Sequence, residues 1–170
     1  MSQIRKIISG GQTGVDQAAL SAAIASGIPV DGWCPPGRIC ENGIIPEEFT
    51  LKETPFERSE DALEIPRSLR TEWNVRDSDG ILILTKSTMH LDPGTNWARQ
   101  CSLHYKKPYA IEDPSDPLSQ ERSRKWIAAN SIAVLNVAGP SEKTAPGIGQ
   151  LVYIFLMRLL TQICDPSKEP

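Results

Sequence analysis

The sequence predicts one α/β domain with helices packed on both faces of a mostly parallel sheet. Three observations lead there. Short apolar runs recur at 6–9, 28–30, 81–84, 109–111 and 132–137. Helical patterns separate most of these runs. The first run ends in a glycine-rich loop, Gly10-Gly11-Gln12-Thr13-Gly14, which opens straight into a helical pattern. Strands alternating with helices at this spacing are βαβ units, and such units stack into a three-layer, Rossmann-like α/β/α sandwich. With 170 residues, a single ligand-binding domain over 1–164 is expected, followed by a C-terminal tail at 165–170. Size scaling buries roughly 70% of the unfolded surface, enough for a core without disulfide or metal staples.

Each element has a local cause. Lys6-Ile7-Ile8-Ser9 is the first strand. Thr13 is the expected N-cap of the next helix, and Asp16 completes a capping-box pattern that complements the positive helix end. That helix, over 15–26, carries Ala18, Ala19, Ala22, Ala23 and Ala25, small enough to lie close on a sheet. Gly27 supplies the left-handed residue that ends it. Pro29 marks 28–30 as an edge strand or a strand start. Residues 32–49 read as a long, stiff, irregular loop of the kind that carries function, and 49–53 as another edge strand. A helix over 68–77 precedes a buried strand at 80–84 with no alternation. A helix over 96–105 buries Trp97, Cys101 and Tyr105 at i, i+4 and i+8. A strand at 109–111, a helix over 118–130 with Trp126 in the core, a strand at 132–137 and a helix over 149–163 complete the chain.

Composition removes several function classes. Eighteen basic against 21 acidic residues give a net charge of −3, which argues against a general grip on nucleic acid or anionic membrane. The cysteines at 34, 40, 101 and 164 form no C-x-x-C pair, and His90 and His104 are the only histidines. A structural zinc site therefore lacks ligands, and reduced thiols in a cytoplasmic protein are expected. The N-terminus reaches glycine before a signal-peptide core forms. The apolar run 151–163 contains Arg158 and Gln162 and falls short of the ~20 residues of a spanning helix.

In open parallel sheets ligands bind beyond the carboxyl ends of the strands, near the switch in strand order. The loop at 10–14 is the sharpest candidate there, because glycines let backbone approach a ligand and the helix start offers N–H groups to a phosphate. It lacks the lysine of the nucleoside-triphosphatase loop, and Ser9 breaks G-x-G-x-x-G, which argues against a dinucleotide despite Asp31 after the second strand. A tight packing turn is the competing explanation. A second loop, Asp92-Pro93-Gly94-Thr95-Asn96, opens a helix with Thr95 as expected N-cap. A third, 138–147, carries Lys143. In the polar stretch 70–79, Arg70, Trp73, Asn74 and Asp77 share a helix face. A solvated helix with internal ion pairs accounts for Arg70 and Glu72, whereas Asn74 and Arg76 are the better candidates for a ligand or subunit surface. Trp33 is placed either to cover a ring-shaped ligand or to pack its own loop. The candidate binding set is Gly10, Gly11, Gln12, Thr13, Gly14, Asp16, Arg38, Asn74, Arg76, Gly94, Thr95, Asn96 and Lys143, with no catalytic residue and no metal ligand.

Taken together, Gly10-Gly11-Gln12-Thr13-Gly14-Val15-Asp16, Gly32-Trp33-Cys34-Pro35 with Gly37-Arg38, 70–80, and Asn136-Val137-Ala138-Gly139-Pro140 with Ala145-Pro146-Gly147-Ile148 resemble the molybdenum carrier protein family. That family is a branch of the Rossmann-like superfamily that includes the lonely-guy phosphoribohydrolases and DNA-processing protein A domains. The resemblance covers nearly the whole chain. It implies a non-catalytic carrier of the molybdenum cofactor (molybdopterin), a phosphate-bearing pterin whose dithiolene holds the metal. It also implies a homo-oligomer, dimer or tetramer, with molybdoenzymes as recipients. Two positions depart from the family pattern: Pro93 replaces a glycine before Gly94-Thr95, and Ser141 stands where a basic residue is expected. An alternative is a nucleotide phosphoribohydrolase cleaving an N-glycosidic bond. Its glutamate would sit three residues after the glycine–threonine loop, which is Ala98 here, so Glu41 or Asp77 would have to supply the acid–base group. A second alternative, single-stranded nucleic-acid binding, suits the superfamily but lacks a basic aromatic groove.

Overall fold

The structure is a computed structural model that describes residues 4–164; the expected tail at 165–170 lies outside the described residues. In chain order the strands are β1 (Lys6–Ile8), β2 (Val30–Asp31), β3 (Trp33–Cys34), β4 (Ile39–Cys40), β5 (Gly43–Ile44), β6 (Lys52–Glu53), β7 (Gly80–Leu84), β8 (Tyr109–Glu112) and β9 (Val134–Ala138). The α-helices are α1 (Val15–Ala25), α2 (Ser68–Arg76), α3 (Pro93–His104), α4 (Ser119–Ala129) and α5 (Ile148–Cys164). A parallel five-stranded sheet runs in the order β2-β1-β9-β7-β8, the Rossmann-like arrangement expected from the sequence.

Side-chain alternation along the strands divides the core into two layers. Leu82 and Leu84 of β7, with Leu135 and Val137 of β9, face α1, α4 and α5. Ile81 and Ile83 face α2 and α3 with Val75, Ala98 and Cys101. Asn136 therefore points to the α2/α3 side, between Ile8 of β1 and Ile81 of β7 in register. On the opposite face the alanines of α1 let it pack tightly with α5. Gly27 ends α1 at φ 70°; the Ile28 N–H reaches the Ala23 carbonyl at 2.9 Å and that of Gly27 reaches Ile24 at 3.0 Å, closing the last carbonyls of the helix.

The helix starts differ from the sequence reading. Gly14, not Thr13, is the N-cap of α1. Helix α3 begins at Pro93, with Asp92 as its cap in place of Thr95; the Asp92 carboxylate accepts from the Gly94 and Thr95 N–H groups, each at 3.1 Å. A proline at the first helical position lacks only an N–H that the helix would leave unpaired, so the start moves three residues upstream.

The stretch expected to be irregular at 32–49 holds three short strands outside the main sheet: β4 pairs with β5, and β3 pairs with β6 just beyond the stretch. Its own small core joins Cys34, Cys40, Ile45, Phe49 and Leu51 to Leu20 of α1. Arg38 braces it, donating to the carbonyls of Leu51, Pro46 and Phe49 at 3.1, 3.0 and 2.8 Å.

Leu156 on α5 is fully buried in the larger core. Leu156→Ala is expected to lower stability by about 2–5 kcal/mol, from lost transfer energy plus the cavity left behind. Urea unfolding followed by circular dichroism measures this.

Candidate functional site

The chain turns to opposite sides of the sheet after β1 and β7, through α1 toward β2 and through α3 toward β8, with β9 between them. This is the switch point where open α/β sheets hold ligands. A crevice of about 230 Å³ lies there. Gly10, Gln12 and Asp16 reach it from β1; Arg67, Arg70 and Asn74 from the α2 side; Asp92, Gly94, Thr95 and Ala98 from the α3 start; and Asn136, Ser141 and Thr144 from β9 and the loop beyond.

Its dominant contact is an ion pair between Arg70 Nη1 and Asp16 Oδ2 at 2.6 Å, with side chains only 16% and 5% exposed. Gly10 makes this possible. A Cβ built on Gly10 would sit 1.7 Å from Arg70 Nη1, so the guanidinium lies against bare backbone. The same Asp16 oxygen accepts the Gln12 N–H at 3.2 Å. Arg70, read from the sequence as part of a solvated face, is instead a wall of the crevice.

The glycine loop was expected to offer N–H groups to an oxyanion, and three N–H groups at its end and at the helix start are already taken within the chain. The Gln12 N–H goes to Asp16, that of Thr13 to the Gln12 side-chain carbonyl at 3.0 Å, and that of Val15 to the Pro140 carbonyl at 3.2 Å. Gly11 and Gly14 serve packing. A Cβ at Gly11 would press Leu51 and Ile45, and one at Gly14 would meet the backbone of residues 140–142, all within 2.7–2.8 Å at closest. The other two helix entrances are closed in the same way. Asp92 caps α3, and Glu142 accepts the N–H groups of Gly147 and Gly149 at the start of α5.

Other expected site residues lie elsewhere. Arg38 is committed to its loop carbonyls. Arg76 pairs with Asp77 at 2.7 Å and covers Trp73 at 4.6 Å, away from the crevice. Asn74 borders the crevice, but its amide clamps Trp33, accepting its N–H at 2.8 Å and donating to its carbonyl at 2.9 Å. Asn96 accepts from Arg99 at 3.2 Å and is not on the crevice wall. Lys143 lines a separate open groove of about 780 Å³ between α1 and α5. Trp33 meets Trp73 edge-on at 4.7 Å and donates to Asp77, so it packs its loop against α2. Asp31, the residue that hinted at a dinucleotide, is taken by Lys6 and Lys52, each at 3.2 Å.

Two residues escaped the sequence reading. Asn136 is 3% exposed and lines the crevice with no side-chain hydrogen bond among the described residues. Its amide atoms are not among the buried atoms left without a partner, so they open to the crevice, where water or a ligand can reach them. Its signal was an asparagine inside an otherwise apolar strand. Arg67 is the N-cap of α2 with a left-handed backbone at φ 58°. It is half-buried at the crevice and has no hydrogen bond or close ion pair among the described residues. Arg70 Nε is also buried without a partner.

The carboxylates named for hydrolysis are tuned the wrong way. Burial pushes Glu41 up, but hydrogen bonds from the Thr13 hydroxyl at 2.6 Å and the Lys143 N–H at 2.8 Å outweigh it and hold its pKa below the ordinary glutamate value. Burial likewise opposes, and the Arg76 and Trp33 contacts overcome, so that Asp77 also sits below its usual range. A general acid at neutral pH needs the opposite shift. Ala98, on the crevice wall and 1% exposed, supplies no carboxylate. Among the described residues no cluster of His, Cys, Asp and Glu suits a metal ion, and no helix is long and apolar enough to cross a membrane.

Arg70→Ala leaves Asp16 buried and uncompensated, and is expected to cost about 3–5 kcal/mol in urea unfolding. The double variant Asp16→Asn, Arg70→Met should recover most of that loss. The lowered pKa of Glu41 makes it a stabilising group above its unfolded pKa near 4.3, with the contribution lost as pH falls through the folded value. Glu41→Gln should therefore be less stable than the parent at pH 7, with the gap closing below about pH 4, as read from melting temperatures across that range.

The model of the circularly permutated YpsA SLOG family matches residues 7–160. Among solved structures, one described as a "putative molybdenum carrier protein" from Syntrophus aciditrophicus SB is 39% identical, with a TM-score of 0.80. The match covers 94% of this chain and 96% of that one. No curated protein matches significantly. A family match over almost the whole chain, on the fold and switch-point crevice described above, places this protein in the circularly permutated YpsA SLOG family.

Proposed function

We propose that the crevice carries a phosphate-bearing pterin or nucleotide-like ligand without converting it, with the molybdenum cofactor as first candidate. One observation carries this reading: Arg67, a cation with no hydrogen bond among the described residues and with Glu41 as its electrostatic neighbour, and the Asn136 side chain line the same crevice. A cation suits a phosphate, and an amide suits a ring edge. At about 230 Å³ the crevice is smaller than the ~300–1,000 Å³ of whole-ligand pockets. It encloses part of such a molecule and leaves the rest at the rim.

The similar structure from Syntrophus supports the carrier role through its name. Carriage rather than turnover is favoured by Ala98 and by the depressed pKa of Glu41. With no metal-holding cluster among the described residues, molybdenum would arrive held by the dithiolene of its own pterin. In this reading the protein works in the cytoplasm as a dimer or tetramer and passes its cargo to molybdoenzymes.

Thermal-shift titration with the molybdenum cofactor and with GMP is expected to raise the melting temperature saturably. Arg67→Ala should weaken binding about tenfold, equal to 1.4 kcal/mol, and leave the unliganded melting temperature unchanged. No shift with either probe at millimolar concentration would sink the carrier reading.

A further inference from the structure

We propose that the inner end of the crevice reads the hydrogen-bonding edge of a heterocyclic ring, with Asp16 and Asn136 setting which ring is accepted and the phosphate lying outward at Arg67. This rests on the binding reading above and reverses the orientation that a glycine loop invites, in which phosphate goes in first. Asp16 Oδ2 already takes Arg70 and the Gln12 N–H. Oδ1 carries no hydrogen bond among the described residues, although the side chain lines the crevice. A carboxylate accepts and does not donate. Phosphate oxygens brought against it would meet like charge in a weakly screened place, whereas ring N–H groups would meet a fixed acceptor.

Asn136 adds a second acceptor, its carbonyl oxygen, and two N–H donors. The Arg70 contact anchors Asp16 at 2.6 Å, so this acceptor is held in place before a ligand arrives. Two acceptors and a donor on the lining of one crevice suit a ring edge with two adjacent donors and a carbonyl. The 2-amino-4-oxopyrimidine edge, present in both pterin and guanine, has this order; adenine offers an amino group with no ring N–H beside it. The anion is left to Arg67, at the mouth of α2.

The test compares pterin with lumazine, in which a carbonyl replaces the 2-amino group. Neither carries phosphate, and ring fluorescence reports binding to the full chain. Pterin should bind at least about tenfold tighter, the net worth of about one hydrogen bond. Asp16→Asn should shrink that ratio below about threefold, and Asn136→Ala should weaken pterin binding, with circular dichroism confirming the fold of each variant. Equal affinities, tighter lumazine, no binding of either ring at millimolar concentration, or full discrimination retained in folded Asp16→Asn would each overturn the proposal. The wild-type comparison decides the ring preference even if a variant fails to fold. Arg67-dependent GMP binding without ring discrimination would overturn this inference alone and leave the carrier reading standing.

Discussion

Arg70 lies flat on the backbone of Gly10 and holds Asp16 at 2.6 Å, and the arrangement of the crevice follows from that contact. It ties α2 to the start of α1 across the carboxyl end of β1, joining elements 54 residues apart in sequence. Without a bare α-carbon at position 10 the guanidinium could not reach. Without Arg70, Asp16 would be a buried charge with no cation, a state that costs several kcal/mol. The glycine serves a protein side chain first, and a ligand only through it.

The closed helix entrances have the same logic. Three of the helix entrances facing this end of the sheet have acceptors within the chain: Asp16 and the Pro140 carbonyl at α1, Asp92 at α3, and Glu142 at α5. Much of the positive charge at these three helix ends is matched within the chain, which leaves a larger share of recognition to a few side chains with spare hydrogen-bonding capacity. Arg67 and Asn136 are such side chains. They come from separate elements, the N-cap of α2 and strand β9, and line one crevice because β9 is threaded between β1 and β7.

Much of the fold was legible because it is local. The alanine face and Gly27 of α1, the unbroken apolar run of β7 and the Trp97–Cys101–Tyr105 spacing of α3 each have a cause within a few residues. The helix starts misled where two cap candidates compete: Asp92 outranks Thr95 because Pro93 needs no partner, and Gly14 replaces Thr13, whose hydroxyl turns to Glu41. The site was half legible. Gly10, Gln12, Asp16, Gly94 and Thr95 do converge, since the switch-point rule depends on strand order. The arginines could not be sorted from sequence. Which face of α2 meets which loop is a tertiary fact, so Arg70 turns inward, Arg76 turns to Asp77, and Arg38 is absorbed by carbonyls in its own loop. Asn136 was visible as a polar residue in an apolar strand, but its significance lies in the missing partner.

The most direct test of the account is a heteronuclear NMR titration that follows the Asn136 side-chain amide and the Arg70 Nε–H as GMP is added. The account expects these two signals to shift first and together, while Gln150 and Tyr153 in the groove between α1 and α5 stay still. The reverse pattern, with the groove responding and the crevice silent, would contradict it.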